Sequence, residues 1–154
     1  MRRNEKNSEE IVNGSKLKIA IIVSQFNSDI TKKMLSGALN VLNNNKVKKT
    51  SIKIVEVPGS FEIPFACQKL AKTRKYNALI ALGCVIKGET DHHLYVAGEA
   101  IRGIMDIILK YSIPIGFGII TTNTLKQAKE RSRGNNNKGR EATRAALKMI
   151  KIDR

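Results

Sequence analysis

The sequence predicts an α/β fold: a single domain on a four-stranded parallel sheet with helices on both faces, preceded by an N-terminal arm. Three observations carry that prediction. Apolar strand-like runs alternate with segments of helical spacing through four cycles along the 154 residues. The first run, "LKIAIIVS", is almost continuously apolar, as a strand buried on both faces is. Each run is followed by a short polar segment, where an open parallel sheet presents its ligand-binding ends.

The elements follow in order. Residues 1–16 are polar and read as an extended or mobile arm, leaving 17–154 as the α/β domain. "LKIAIIVS" (17–24) is the first strand. From Asp29 the spacing becomes helical, with Met34, Ala38, Val41 and Leu42 on one side, until "NNNK" (43–46) ends the helix. "SIKIVEV" (51–57) is the second strand and "PGS" a turn. A helix then carries Ile63, Ala66, Cys67 and Leu70, with Pro64 tolerated in its first turn.

"ALIALGCVI" (78–86) is the third strand. After a loop comes a helix whose apolar stripe is Ala97, Ala100, Ile101, Ile104, Ile108 and Tyr111. "PIGFGIIT" (114–121) is the fourth strand, followed by a short helix around Leu125 to Arg131 and a "RGNNNKG" break. A last helix carries Ala142, Ala145, Ala146 and Met149. The strand order expected of such an alternation is the flavodoxin-like one.

Composition narrows the function. The chain is 42% hydrophobic and 27% charged, which fits a globular protein rather than a disordered one. No apolar run approaches the roughly 18 residues of a membrane span. The opening "MRRNEKNSEE" has no apolar core of the kind a secretory signal needs, so a cytoplasmic location is expected. Cys67 and Cys84 each sit in an apolar segment and read as small buried hydrophobes rather than a disulfide or zinc site. The net charge of +15 invites a nucleic-acid partner. The basic residues are spread along the chain with few aromatics between them, however, so a solvated basic surface is the expectation and nucleic acid is not.

Every unusual segment lies just after a strand. In "SQFNSD", Phe26 could stack on a planar ligand and Asn27 bond its edge, or Phe26 could pack on a neighbouring loop. "PGSFE" offers helix-start N–H groups and the carboxylate of Glu62, which could equally serve its own helix dipole. "KGETDHH" combines a glycine, the Thr90 hydroxyl and a helix start near Asp91, a cradle for phosphate without the P-loop pattern.

His92 and His93 are adjacent, so on a helix they point roughly 100° apart and should not share a metal ion. The i, i+4 ligand spacing and a third histidine are both missing, so no metal site is expected. A histidine at a helix start is suited to pass protons near neutral pH, though surface histidines are common. Arg131, Arg133 and Lys138 flank a Gly-containing turn and suit a phosphate, or simply a basic helix end.

Taken together these segments resemble one family, the lumazine synthases. The resemblance runs over about residues 17–150. It rests on "FN" after the first strand, "VPGSFEIP", "GCVIKGETDHH", "FGIITTNTLKQAKERS" and "NKGREA", in that order. It implies condensation of 5-amino-6-(D-ribitylamino)uracil with 3,4-dihydroxy-2-butanone 4-phosphate, the penultimate step of riboflavin biosynthesis, with no cofactor and no metal.

The resemblance also implies roles. Phe26 stacks on the pyrimidine, Ser60, Phe61 and Glu62 contact the ribityl chain, and Cys84, Val85 and Ile86 hold the uracil. Glu89 and Thr90 cradle the butanone phosphate, Arg131 binds it, and His92 transfers protons. Phe117, Arg131 and Lys138 would come from a neighbouring subunit of a homopentamer, which in some members builds a 60-subunit shell. This chain departs from the pattern in three places. His93 and Leu94 stand where an aromatic and an acid are usual, so Asp91 or Glu130 would orient His92 and packing is expected of His93. Lys87 replaces a common Arg, and "RSRGNNNKG" is one residue shorter than in shell-forming members.

Overall fold

The computed structural model describes residues 11–153. Residues 1–10 of the expected arm lie outside that span. The elements are β1 (Ile19–Ser24), α1 (Ser28–Asn44), β2 (Ile52–Val57), α2 (Ile63–Lys72), β3 (Ala78–Ile86), α3 (His92–Tyr111), β4 (Ile115–Thr122), α4 (Leu125–Arg131) and α5 (Lys138–Ile150). The four strands form one parallel sheet in the order β2-β1-β3-β4, the flavodoxin-like order expected from the sequence.

The register keeps the strand ends level. Ile19 pairs with Ile52 on one side and Ala78 on the other, and Leu79 pairs with Ile115. Alternate residues of β1 therefore serve two cores. Ile19, Ile21 and Val23 pack with Met34, Ala38 and Leu42 of α1 and with Ala146 and Leu147 of α5. Ala20 and Ile22 pack with Ile63 and Cys67 of α2 and with Ala100 and Ile104 of α3. All six residues of β1 are buried, in keeping with five apolar residues running into Ser24.

The first core closes because α1 and α5 approach closely at Gly139, where a Cβ would collide with the main-chain carbonyl of Met34. Asn137 sets that approach. Its side chain is the N-cap of α5, accepting from the N–H groups of Gly139 and Arg140 at 2.9 and 3.3 Å. The same amide donates to the carbonyls of Lys33 and Ser132 at 3.0 and 2.9 Å, tying α5 to α1 and to the preceding turn.

Three details differ from the sequence reading. The ladder of β1 begins at Ile19 because the N–H of Leu17 is already bonded in a turn to the carbonyl of Gly14. On α3, Ile101 is 47% exposed while Ile107 is buried, so the inward arc runs through Ala97, Ala100, Ile104 and Ile107. On α5, Ala145 and Met149 face outward, and Thr143, Leu147 and Ile150 fill the positions between α1 and the sheet.

Candidate active site

The carboxyl ends of β1, β2 and β3 meet in a pocket of about 520 Å³. Its floor is made by the last residues of β3. Cys84 and Val85 are buried and Ile86 half-buried, so this wall is apolar and rigid. Burial pushes the Cys84 thiol up to about 11, so it stays protonated at neutral pH and is no nucleophile.

The loop after β1 forms one rim. Asn27 adopts the left-handed conformation (φ 57°), which Asn tolerates better than most residues. Its side-chain amide donates to the carbonyl of Cys84 at 2.9 Å, so the loop is fastened across to β3. Asn27 is thus occupied within the fold rather than presented to a ligand. The N–H groups of Gln25 and Phe26 bond the carbonyls of Val57 and Pro58, continuing the β1–β2 pairing past the strands. Held this way, Phe26 is 71% exposed and its ring borders the pocket.

The second rim is "PGSFE". Ser60 to Glu62 form a short 3-10 turn that runs into α2, with Pro64 at the start of the helix. Ser60 is 5% exposed, and its hydroxyl has no hydrogen-bond partner among the described residues. It occupies the space above Gly83, where a Cβ would collide with the Ser60 oxygen. Phe61 and Glu62 are exposed and also border the pocket.

The third rim is the turn from Lys87 to Asp91 and the first turn of α3. The Thr90 hydroxyl accepts weakly from the N–H of His92 at 3.4 Å. The carbonyl of Thr90 faces Nδ1 of His93 at 3.3 Å. His92 is exposed and His93 buried, both on the pocket wall, so α3 presents them in different settings. Among the described residues, no three His, Cys, Asp or Glu side chains group as metal ligands.

No Lys or Arg of the described residues lines the pocket. The starts of α2 and α3 border it at Glu62 and His92, and the first N–H groups of a helix lack intrahelical partners and carry partial positive charge.

Residues 16–154 match the protein-family model described as 6,7-dimethyl-8-ribityllumazine synthase. The chain belongs to that family. It is therefore an enzyme of the lumazine synthase type, a transferase of riboflavin biosynthesis. No helix among the described residues is long and apolar enough to cross a membrane.

Of the positions that the lumazine synthase pattern singles out, Phe26, Ser60, Phe61, Glu62, Cys84, Val85, Ile86, Thr90 and His92 all border the one pocket. Glu89 is exposed on the adjoining turn, outside the lining. Phe117, Arg131 and Lys138 stand away from it. Phe117 is 42% exposed on β4, Arg131 donates to the carbonyl of Gln127 at 3.2 Å, and Lys138 pairs with Glu141 at 2.6 Å. The orienting acids considered for His92 do not bond it. The wall also includes Gly59 and Gly88 of the two turns, His93, of which only packing was expected, and Val96, which the sequence reading left out. Val96 follows His92 by one helical turn, so helical spacing could have found it.

Proposed function

We propose that the chain condenses 5-amino-6-(D-ribitylamino)uracil with 3,4-dihydroxy-2-butanone 4-phosphate to 6,7-dimethyl-8-ribityllumazine. The 5-amino group attacks the ketone and imine formation expels water. Elimination then releases orthophosphate, and attack by the ribitylamino nitrogen closes the second ring with loss of another water. No step changes the overall redox state, so the reaction as written calls for no redox cofactor. Each step moves protons and needs the reactants held in register.

Ser60 carries the reading. A buried hydroxyl without a partner costs about 1–3 kcal/mol, and here it borders a pocket with an otherwise largely apolar floor. A polyhydroxylated ribityl chain satisfies it, with Glu62 accepting from a further hydroxyl. Phe26 supplies a ring face for the pyrimidine, above the strand end of Cys84, Val85 and Ile86. The Thr90 hydroxyl and the start of α3 receive the phosphate of the butanone, with Glu89 on the same turn. His92, exposed at that helix start, relays protons between the reacting nitrogens, the leaving oxygen and water.

Among the described residues of one chain, no Lys or Arg lines the pocket to meet a phosphate. That supports a site completed by a neighbour in a homopentamer, which contributes Phe117, Arg131 and Lys138; assembly into a 60-subunit shell belongs to the same reading, as does a cytoplasmic location. Inorganic phosphate release tests the proposal. It should require both substrates together. Release from the butanone phosphate alone at the same rate, or none above buffer with both present, refutes it.

A further inference from the structure

We infer that His93 is a positioning residue of this site, holding Thr90 in the orientation that receives the phosphate; the inference rests on the reaction proposed above. The first support is burial. His93 is 8% exposed, on the buried side of α3 with Ala97 and Ala100, and a polar ring there needs a partner.

The second is geometry. Nδ1 of His93 lies 3.3 Å from the carbonyl oxygen of Thr90. A carbonyl only accepts, so this contact makes Nδ1 the protonated nitrogen and fixes the tautomer. The N–H of His92 meets the Thr90 hydroxyl at 3.4 Å. Consecutive residues of α3 therefore hold both polar ends of Thr90, and the hydroxyl, already accepting, is left with its own O–H to donate.

The third is position. His93, His92 and Thr90 all border the same pocket. A phenyl ring at 93 would fill the volume of the imidazole and leave the Thr90 carbonyl without this donor. The imidazole adds the donor, and the rotation of the peptide after Thr90 is tied to the core.

His93→Phe and His93→Asn separate this role from packing. Phe keeps an aromatic ring and removes the donor. Asn is smaller, yet sets an N–H donor close to the place of Nδ1. In His93→Phe, KM for the butanone phosphate should rise about five-fold, the loss of one ordinary hydrogen bond. Its kcat and the KM for the pyrimidine should stay near wild type, and the inhibition constant of inorganic phosphate should rise in parallel. His93→Asn should restore the KM despite a lower melting temperature. Turnover by the wild type together with an unchanged KM in His93→Phe overturns the role and leaves the enzyme intact. An equal KM defect in both variants, tracking stability, also overturns it. If His93→Asn fails to fold, the phosphate inhibition constant of His93→Phe decides alone. A wild-type protein without condensation activity overturns the reaction itself, and this role with it.

Discussion

The side-chain amide of Asn27 donates to the main-chain carbonyl of Cys84 across 2.9 Å, joining the loop after β1 to the end of β3. The bond sets where Phe26 stands relative to the pocket floor. Asn27→Gly keeps the left-handed backbone available and removes only the bond, so it should cost about 1 kcal/mol in denaturant unfolding. Asn27→Val adds a β-branched residue at φ 57° and should cost more. In the glycine variant KM for the pyrimidine should rise while KM for the butanone phosphate holds.

Ser60 and Gly83 form a second pair, in direct contact across the pocket wall. Gly83→Ala drives a methyl group into the Ser60 hydroxyl and should destabilise by about 1–3 kcal/mol. Ser60→Ala removes an unpartnered hydroxyl, so the apoprotein should be unchanged or slightly more stable. The double variant should recover part of the Gly83→Ala loss, a coupling that a thermal-unfolding cycle measures. Ser60→Ala should nonetheless weaken binding of the ribityl substrate. Equal affinity in that variant would remove Ser60 from the site.

Burial raises the Cys84 thiol from an ordinary value of 9.0 to about 11. Below about pH 9 the thiol is protonated in both folded and unfolded chains, and the shift costs no stability. Between about pH 9 and 11 only the unfolded chain ionises, so stability falls across that window. Cys84→Ala should make this fall shallower without abolishing it, because burial pushes the Cys67 thiol up to about 12 and that group acts over the same window. At pH 8, native Cys84 should react with a disulfide reagent far more slowly than after unfolding, although it borders the pocket.

The cations absent from the single-chain pocket lead to a mixing experiment. His92→Ala and Arg131→Ala should each be impaired as homo-oligomers. If Arg131 serves a neighbour's pocket, co-refolded mixtures contain some sites with both residues intact. Activity should then return to roughly a quarter of wild type at an equal ratio, since about one site in four draws an intact His92 from one chain and an intact Arg131 from its neighbour and the defective sites contribute little. A mixture no better than the average of its components would mean that both residues serve the same chain's site.

Much of this was legible in the sequence because continuous apolar runs such as "IAIIVS" leave few alternatives to a strand buried on both faces. The strand-end motifs were legible for a related reason. Phe26, the "PGSFE" turn and "KGETDHH" follow successive parallel strands, and a level register gathers them at one end. What was hidden depends on tertiary contacts. Ile101 is as apolar as Ile107, and only the direction of the sheet from α3 exposes one and buries the other. Asn137 looked like part of a loop, because its links to Lys33 and Ser132 join segments distant in sequence or folded back on themselves. For Asn27 the sequence left bonding a ligand's edge as one alternative, and its bond to Cys84 could not be seen there because it needs the β1–β3 pairing to exist.

The most direct measurement is the rate at which the lumazine chromophore forms from the two purified substrates, compared with the same mixture without protein. The account predicts a clear acceleration that saturates in both substrates and falls by a factor of about 10²–10⁴ in His92→Ala, the range for a proton-transfer group. A rate equal to the uncatalysed mixture, from protein that is folded and oligomeric, would contradict it.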